Sequence, residues 1–194
     1  MLSSYEAFLE GVKPATYVNL DIIVRPELIP NLMEYANFNE SDNFWMFFRD
    51  EEMKTQFLNQ YSNLSHNDPE RERILGLTLG YPPKAVDFYT YYYEWQQRER
   101  EEAKHWYFTH KVGMKYHGIM FTSHIDDLKE NAQWLWDTYQ IEEDTYIKVV
   151  RMPDRKREEF PVAFRNLADL VDAKEKVQRI LDHNRVALEP IAPK

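Results

Sequence analysis

The stretch from Asp68 to Trp95, DPERERILGLTLGYPPKAVDFYTYYYEW, restricts what this chain can fold into more than any other. Asp68 suits an N-cap. Pro69 suits the first helical position, where its missing N–H is no loss, and Glu70 favours the positive end of the helix dipole. Ile74, Leu75, Leu77 and Leu79 leave this helix little polar face, so it is expected to be buried. Gly80 suits the position past the helix end. Pro82 drives Tyr81 out of helical dihedrals, and Pro83 can open a second helix. Ala85, Phe88, Tyr89 and Tyr92 recur along that helix at helical spacing. Two helices joined by a stiff Gly-Tyr-Pro-Pro corner are therefore built into the chain. Tyr89, Tyr91, Tyr92, Tyr93 and Trp95 occupy too many azimuths of the second helix to share one core face. Some of these rings must meet solvent, another part of the chain or a partner.

Around this stretch the pattern alternates between helix and strand. Ser3 and Glu6 have capping-box spacing, which predicts a short helix stopping near Gly11. Tyr17 to Val24 alternates apolar and polar residues and reads as a half-buried strand. A short helix is expected over Leu28 to Ala36, with Pro30 in its first turn. Asn37 to Asn43 reads as a polar break. Phe44-Trp45-Met46-Phe47-Phe48 follows, five large apolar residues in a row, which belong in a core or a contact patch. A helix is predicted from Asp50 to Tyr61 and a loop from Ser62 to Asn67. After Trp95 the second helix turns charged. Met114 to Thr122 reads as one strand with two apolar faces, central in its sheet. Ser123 is placed as the cap of an amphipathic helix whose stripe is Ile125, Leu128, Ala132, Leu135, Trp136 and Tyr139. Thr145 to Met152 is another strand, Arg155-Lys156-Arg157 a solvated loop, and Asn166 to His183 the last helix. The tail from Arg185 is expected to be frayed or to pack as an extended arm.

These elements predict an α+β fold with a small sheet of about three strands and six or seven helices. It includes a strand–helix–strand unit over Met114–Met152, right-handed if its strands are parallel neighbours. The helical section 68–106 is expected as a cover or lobe. The 194 residues are expected to form a single domain, 1–194, with a helical sub-lobe at about 41–106.

Composition excludes some functions. There is no cysteine, so disulfides, thiolate nucleophiles and Cys-ligated metals are out, and a reducing cytoplasm is the expected compartment. No basic stretch followed by an apolar run opens the chain, so no secretory signal is expected. No apolar run is long enough to span a membrane, and a soluble protein follows. The net charge of −9 disfavours phosphate backbones and anionic lipids. The charge is uneven, because from Lys148 onward bases outnumber acids by three. Aromatic residues reach 15%, an enrichment shared by cores and contact surfaces.

Catalytic and ligand-binding motifs are sparse. Neither glycine-rich phosphate loop is present, nor is a G-x-S-x-G elbow, and no cofactor is expected. The corner at Tyr81 imitates a helix-turn-helix, but its second helix opens on Lys84, Ala85, Val86, Asp87 and Phe88, which cannot reach base edges and phosphates together. No nucleic-acid partner is expected. His105, His110, His117 and His124 fall within one short stretch without metal-ligand spacing, and only folding could gather them. The function that remains is an acidic interaction or regulatory protein that binds another protein, for example as an inhibitor or immunity-type antagonist. Its contact candidates are Tyr81, Lys84, Tyr91, Tyr93 and Trp95, and self-association is a variant of this reading. The alternative is a metal-dependent or acid/base enzyme using the His105–His124 region.

Overall fold

The structure, a computed structural model, describes residues 2–188. They form an α+β protein with eight α-helices and two antiparallel sheets, of three and four strands. The residues divide into two compact units. The first is the chain up to Tyr81 together with His117–Ile119, and the second is Pro82–Tyr116 with the chain from Met120 onward. The division falls between Tyr81 and Pro82, inside the corner.

In the first unit, α1 (Ser4–Leu9) starts at the Ser3/Glu6 capping box. The sheet is β1 (Ala15–Asn19), β3 (Phe44–Phe48) and β2 (Ala36–Ser41), with β3 central and antiparallel to both neighbours. Its position explains the run of five apolar residues. Met46 and Phe48 pack on one face with Phe57, Tyr61, Ile74 and Leu79, while Phe47 packs on the other with Tyr5, Phe8, Val18 and Leu32. A strand covered on both faces needs apolar residues at every position rather than at alternate ones. The helices of this unit are α1, α2 (Ile29–Met33), α3 (Glu51–Tyr61, capped by Asp50) and α4 (Pro69–Thr78, capped by Asp68).

Three expectations in this unit need correction. The strand predicted to Val24 stops at Asn19, where the chain enters a 3-10 turn and leaves Ile22 and Val24 exposed. Pro26, which lacks an N–H, follows closely and bars further pairing. The polar stretch expected as a break is the edge strand β2, held by β3 along one side. Helix α4 is only partly buried: Ile74 is inside, but Leu77 is exposed.

The second unit begins with α5 (Pro83–Gln96) and α6 (Arg100–His110), separated by a break at Gln97–Glu99 where one charged helix was expected. The single strand predicted over Met114–Thr122 is two, β4 (Lys111–Tyr116) and β5 (Ile119–His124), joined by a His117–Gly118 turn. Both turn residues have positive φ, as a tight two-residue hairpin requires. After α7 (Leu128–Tyr139) come β6 (Thr145–Arg151), β7 (Lys156–Val162) and α8 (Leu167–Leu188). The strand order is β5-β4-β6-β7. Strand β6 is antiparallel to β4 and β7, so the parallel crossover is absent and its handedness does not arise.

The Arg155-Lys156-Arg157 run is not a loop throughout, since β7 begins at Lys156. Charge on an edge strand prevents further pairing, which accounts for the unusual composition. Ser123 does not cap α7. It is buried, donates to the His124 carbonyl and accepts from Asn131, while His124 takes the capping position of the turn before the helix. Helix α8 packs on β6 and β7 and runs beyond Arg185 to Leu188, where an extended tail was expected; the tail's last residues lie outside the described part of the chain.

Candidate functional site: a ring cluster on α5 and α6

The predicted contact residues separate. Tyr81 belongs to the first unit, where it packs against the core beside Phe48 and Ile74 with the Lys13 ammonium group 5.1 Å from its ring centre, and burial pushes its hydroxyl up to about 12. Lys84 is exposed and pairs within the second unit, its Nζ lying 3.3 Å from Asp127 and 3.4 Å from Glu130. Tyr93 is half-buried on α5. Tyr91 and Trp95 come together, four residues apart on one face of α5, with ring centres 5.9 Å apart.

Trp106 of α6 is the centre of this group. Its ring lies 5.3 Å from Phe88, 5.4 Å from Tyr91, 5.7 Å from Trp95, 5.4 Å from His110 and 5.9 Å from His124. Helices α5 and α6 supply four of those rings, and the end of β5 supplies His124. A second stack, Tyr92 on Tyr107 at 3.9 Å, continues the aromatic layer. The layer is graded in depth: Phe88 and Tyr107 are buried, Trp95 and Trp106 are half-buried, and Tyr91 is 53% exposed. The Trp95 indole N–H donates to Glu99 at 3.0 Å, which fixes its ring plane.

Of the four clustered histidines, folding brings two together. The rings of His110 and His124 stack at 5.2 Å and 17°. His105 is exposed and faces a separate groove, and His117 lies in the first unit with its Nε2 3.4 Å from the Glu10 carboxylate. The hydrogen bonds assign the tautomers of the stacked pair. Nδ1 of His110 is 2.8 Å from the Trp106 carbonyl oxygen and must donate to it. Nδ1 of His124 accepts from the Asp126 N–H at 3.1 Å, so its proton sits on Nε2. Burial, and then the neighbouring His110, hold the His124 imidazole below its usual range, so it is neutral at pH 7. Among the described residues no group of three His, Asp or Glu side chains is placed to hold a metal ion. The arrangement offers a pre-packed surface of rings inclined to one another, with Tyr91 the most exposed of them.

Trp106, the residue that joins these rings, was not among the sequence candidates. Its signal was present, because Ala103, Trp106, Tyr107 and His110 recur at helical spacing within an otherwise charged segment. No protein family, curated protein or solved structure matches the chain. No helix among the described residues is long and apolar enough to cross a membrane.

Proposed function

We propose that this chain is an interaction protein, and that it recognises another protein through the surface made by Tyr91, Trp95 and Trp106. The observation that carries the reading is Tyr91, more than half exposed yet set against two tryptophan rings. A ring already fixed by its neighbours loses little conformational freedom on binding, and Tyr and Trp dominate the energetics of protein contacts. Asp87 and Glu94 on α5, Glu102 on α6 and Glu99 in the break between them are exposed, and the chain as a whole is acidic. A partner that presents arginine or lysine would meet both the carboxylates and the ring faces. Covering a functional surface of such a basic partner would make the chain an inhibitor or immunity-type antagonist, working in the cytoplasm where a cysteine-free protein is at home.

The reading is tested by placing a photo-crosslinking amino acid at position 91 in the source cell, with position 176 on α8 as the control. One protein should be captured at position 91 and not at 176. Purified, it should bind the full chain, and Tyr91→Ala should weaken binding by about thirtyfold or more while Tyr91→Phe retains most of it. Capture that does not distinguish the two positions, or affinity indifferent to Tyr91→Ala, would count against the proposal. Capture of a second copy of this chain would replace it with self-assembly.

A further inference from the structure

The second sheet has one face packed on α8 and one that carries charge. Val112, Met114 and Tyr116 of β4 are buried, and so are Ile147 and Val149 of β6, all on the packed side. The alternate positions Lys111, Gly113 and Lys115 therefore share the other face with Tyr146, Lys148 and Val150 of β6. The register sets Gly113 beside Lys148, Lys148 beside Glu159, and Val150 beside Arg157. These residues surround a recess of about 240 Å³, lined by Lys111, Gly113, Thr122, Lys148, Arg157 and Glu159 among others. Gly113 leaves its floor open, because glycine puts no side chain between the lysines.

We propose that this recess binds the phosphoryl group of a small organic phosphate whose apolar body lies in the groove beside it. Three cations meet one carboxylate in the recess, and that carboxylate, Glu159, is paired with Lys148. Lys111 has its ammonium group over the rings of Tyr107 and Phe108, at 4.6 and 3.9 Å from their centres. Burial makes Lys111 harder to protonate. Lys115 is likewise shifted down, by burial and then by the like charge of Lys148. A partly desolvated ammonium group is unfavourable alone, and a dianion set beside Lys111 would stabilise its charge. Arg157 supplies a planar fork, Lys111 and Lys148 point charges, and Thr122 a hydroxyl, the donor set that a tetrahedral oxyanion uses.

The adjoining groove, about 520 Å³, explains why the ligand should be more than inorganic phosphate. It shares Val150 with the recess and adds Phe108 and Met152 as apolar lining, with Lys104 and Arg155 also among its residues. A pocket with an apolar lining and a few polar groups at one end is the usual form of a small-molecule site. The proposal is independent of the ring cluster on α5 and α6.

The test uses the full chain and three probes: inorganic phosphate, phenyl phosphate and benzyl alcohol. Calorimetry should show one site for phenyl phosphate, about tenfold tighter than for inorganic phosphate and weakened by salt, with no binding of benzyl alcohol at the same concentration. Amide shifts in the NMR spectrum should move at Gly113, Thr122 and Lys148. Lys111→Met and Arg157→Gln should each weaken binding about fivefold or more, and Gly113→Val should weaken it with all charges retained. Lys176→Ala should leave it unchanged. Well-dispersed spectra confirm that each variant is folded. The proposal is overturned if phenyl phosphate does not bind at millimolar concentration, if it binds no tighter than phosphate, or if folded Lys111→Met and Arg157→Gln variants bind as the parent does.

Discussion

Lys13 is the residue whose environment departs furthest from its chemistry. Its side chain is fully buried in the first unit, and its Nζ donates to the Ser4 hydroxyl at 2.7 Å, which in turn lies 3.1 Å from the Thr16 hydroxyl. Burial lowers its pKa from 10.5 to about 7. The unfolded chain holds this proton more tightly than the folded one, so the unfolded state binds more protons between about pH 7 and 10.5, and stability rises with pH across that window. Below about pH 7 both states are protonated and the full cost of burying the charge remains. Lys13→Met should therefore stabilise the protein by roughly 2 kcal/mol in denaturant unfolding at pH 6, after allowing for the lost Ser4 hydrogen bond. The gain should shrink as the pH approaches 10. A gain that does not change with pH would show that the ammonium charge is not the cause. The Lys13 backbone is also held, because the Arg49 guanidinium donates to its carbonyl through Nε at 2.9 Å and lies over the Phe8 ring at 4.2 Å.

Two polar groups tie elements to one another. Glu40 on the edge strand β2 accepts from Tyr17 of β1, from Tyr61 of α3 and from Arg71 of α4, the last at 3.1 Å. Burial works against its charge, but these donors outweigh it and hold the carboxyl below the usual range. Burial and the hydrogen bond to Glu40 push the Tyr61 hydroxyl up to about 12. Glu40→Gln should cost about 2 kcal/mol at pH 7, because the amide keeps one acceptor oxygen for Tyr61 and Arg71, sets an NH2 group against the Tyr17 hydroxyl and removes the charge that pairs with Arg71. A carboxyl with a lowered pKa contributes stability above its unfolded value and loses it as the pH falls through the folded value. The difference between parent and variant in urea unfolding should accordingly fade below about pH 4. In the second unit Asn184 of α8 joins the helix to β6: its Oδ1 accepts from the Met152 N–H and its Nδ2 donates to the Val150 carbonyl, both at 2.7 Å. Asn184→Leu should cost about 1–3 kcal/mol by leaving both backbone groups unpaired. Hydrogen exchange at the Met152 amide should accelerate in step, and an unchanged exchange rate would remove Asn184 from that role.

Across the whole molecule, an excess of acid coexists with local sites of the opposite sign. The net charge is −9, yet the recess on the second sheet gathers Lys111, Lys148 and Arg157, which are well separated in the chain. The basic balance after Lys148 was readable in the sequence, but Lys111 joins the other two only through the pairing of β4 with β6. What the sequence determined alone is local. The caps at Ser3 and Asp68, the helix stop at Gly80, the opening of α5 at Pro83 and the apolar stripe of α7 all stand as expected. Each depends on interactions within about four residues or on the periodicity of one helix. Tertiary structure decided the rest. The Phe44–Phe48 run reads as apolar whether it is core or patch, and only two covering layers make it a central strand. Asn37–Ser41 and Lys156–Glu159 look like loops because an edge strand is held from one side and can stay polar. Four neighbouring histidines gave no sign that His110 and His124 alone would stack, and Trp106 became the centre of the ring cluster when α6 met α5. Capping is settled by neighbours along the chain. Strand partners and ring clusters are settled by segments far apart in it, whose pairing leaves no local mark.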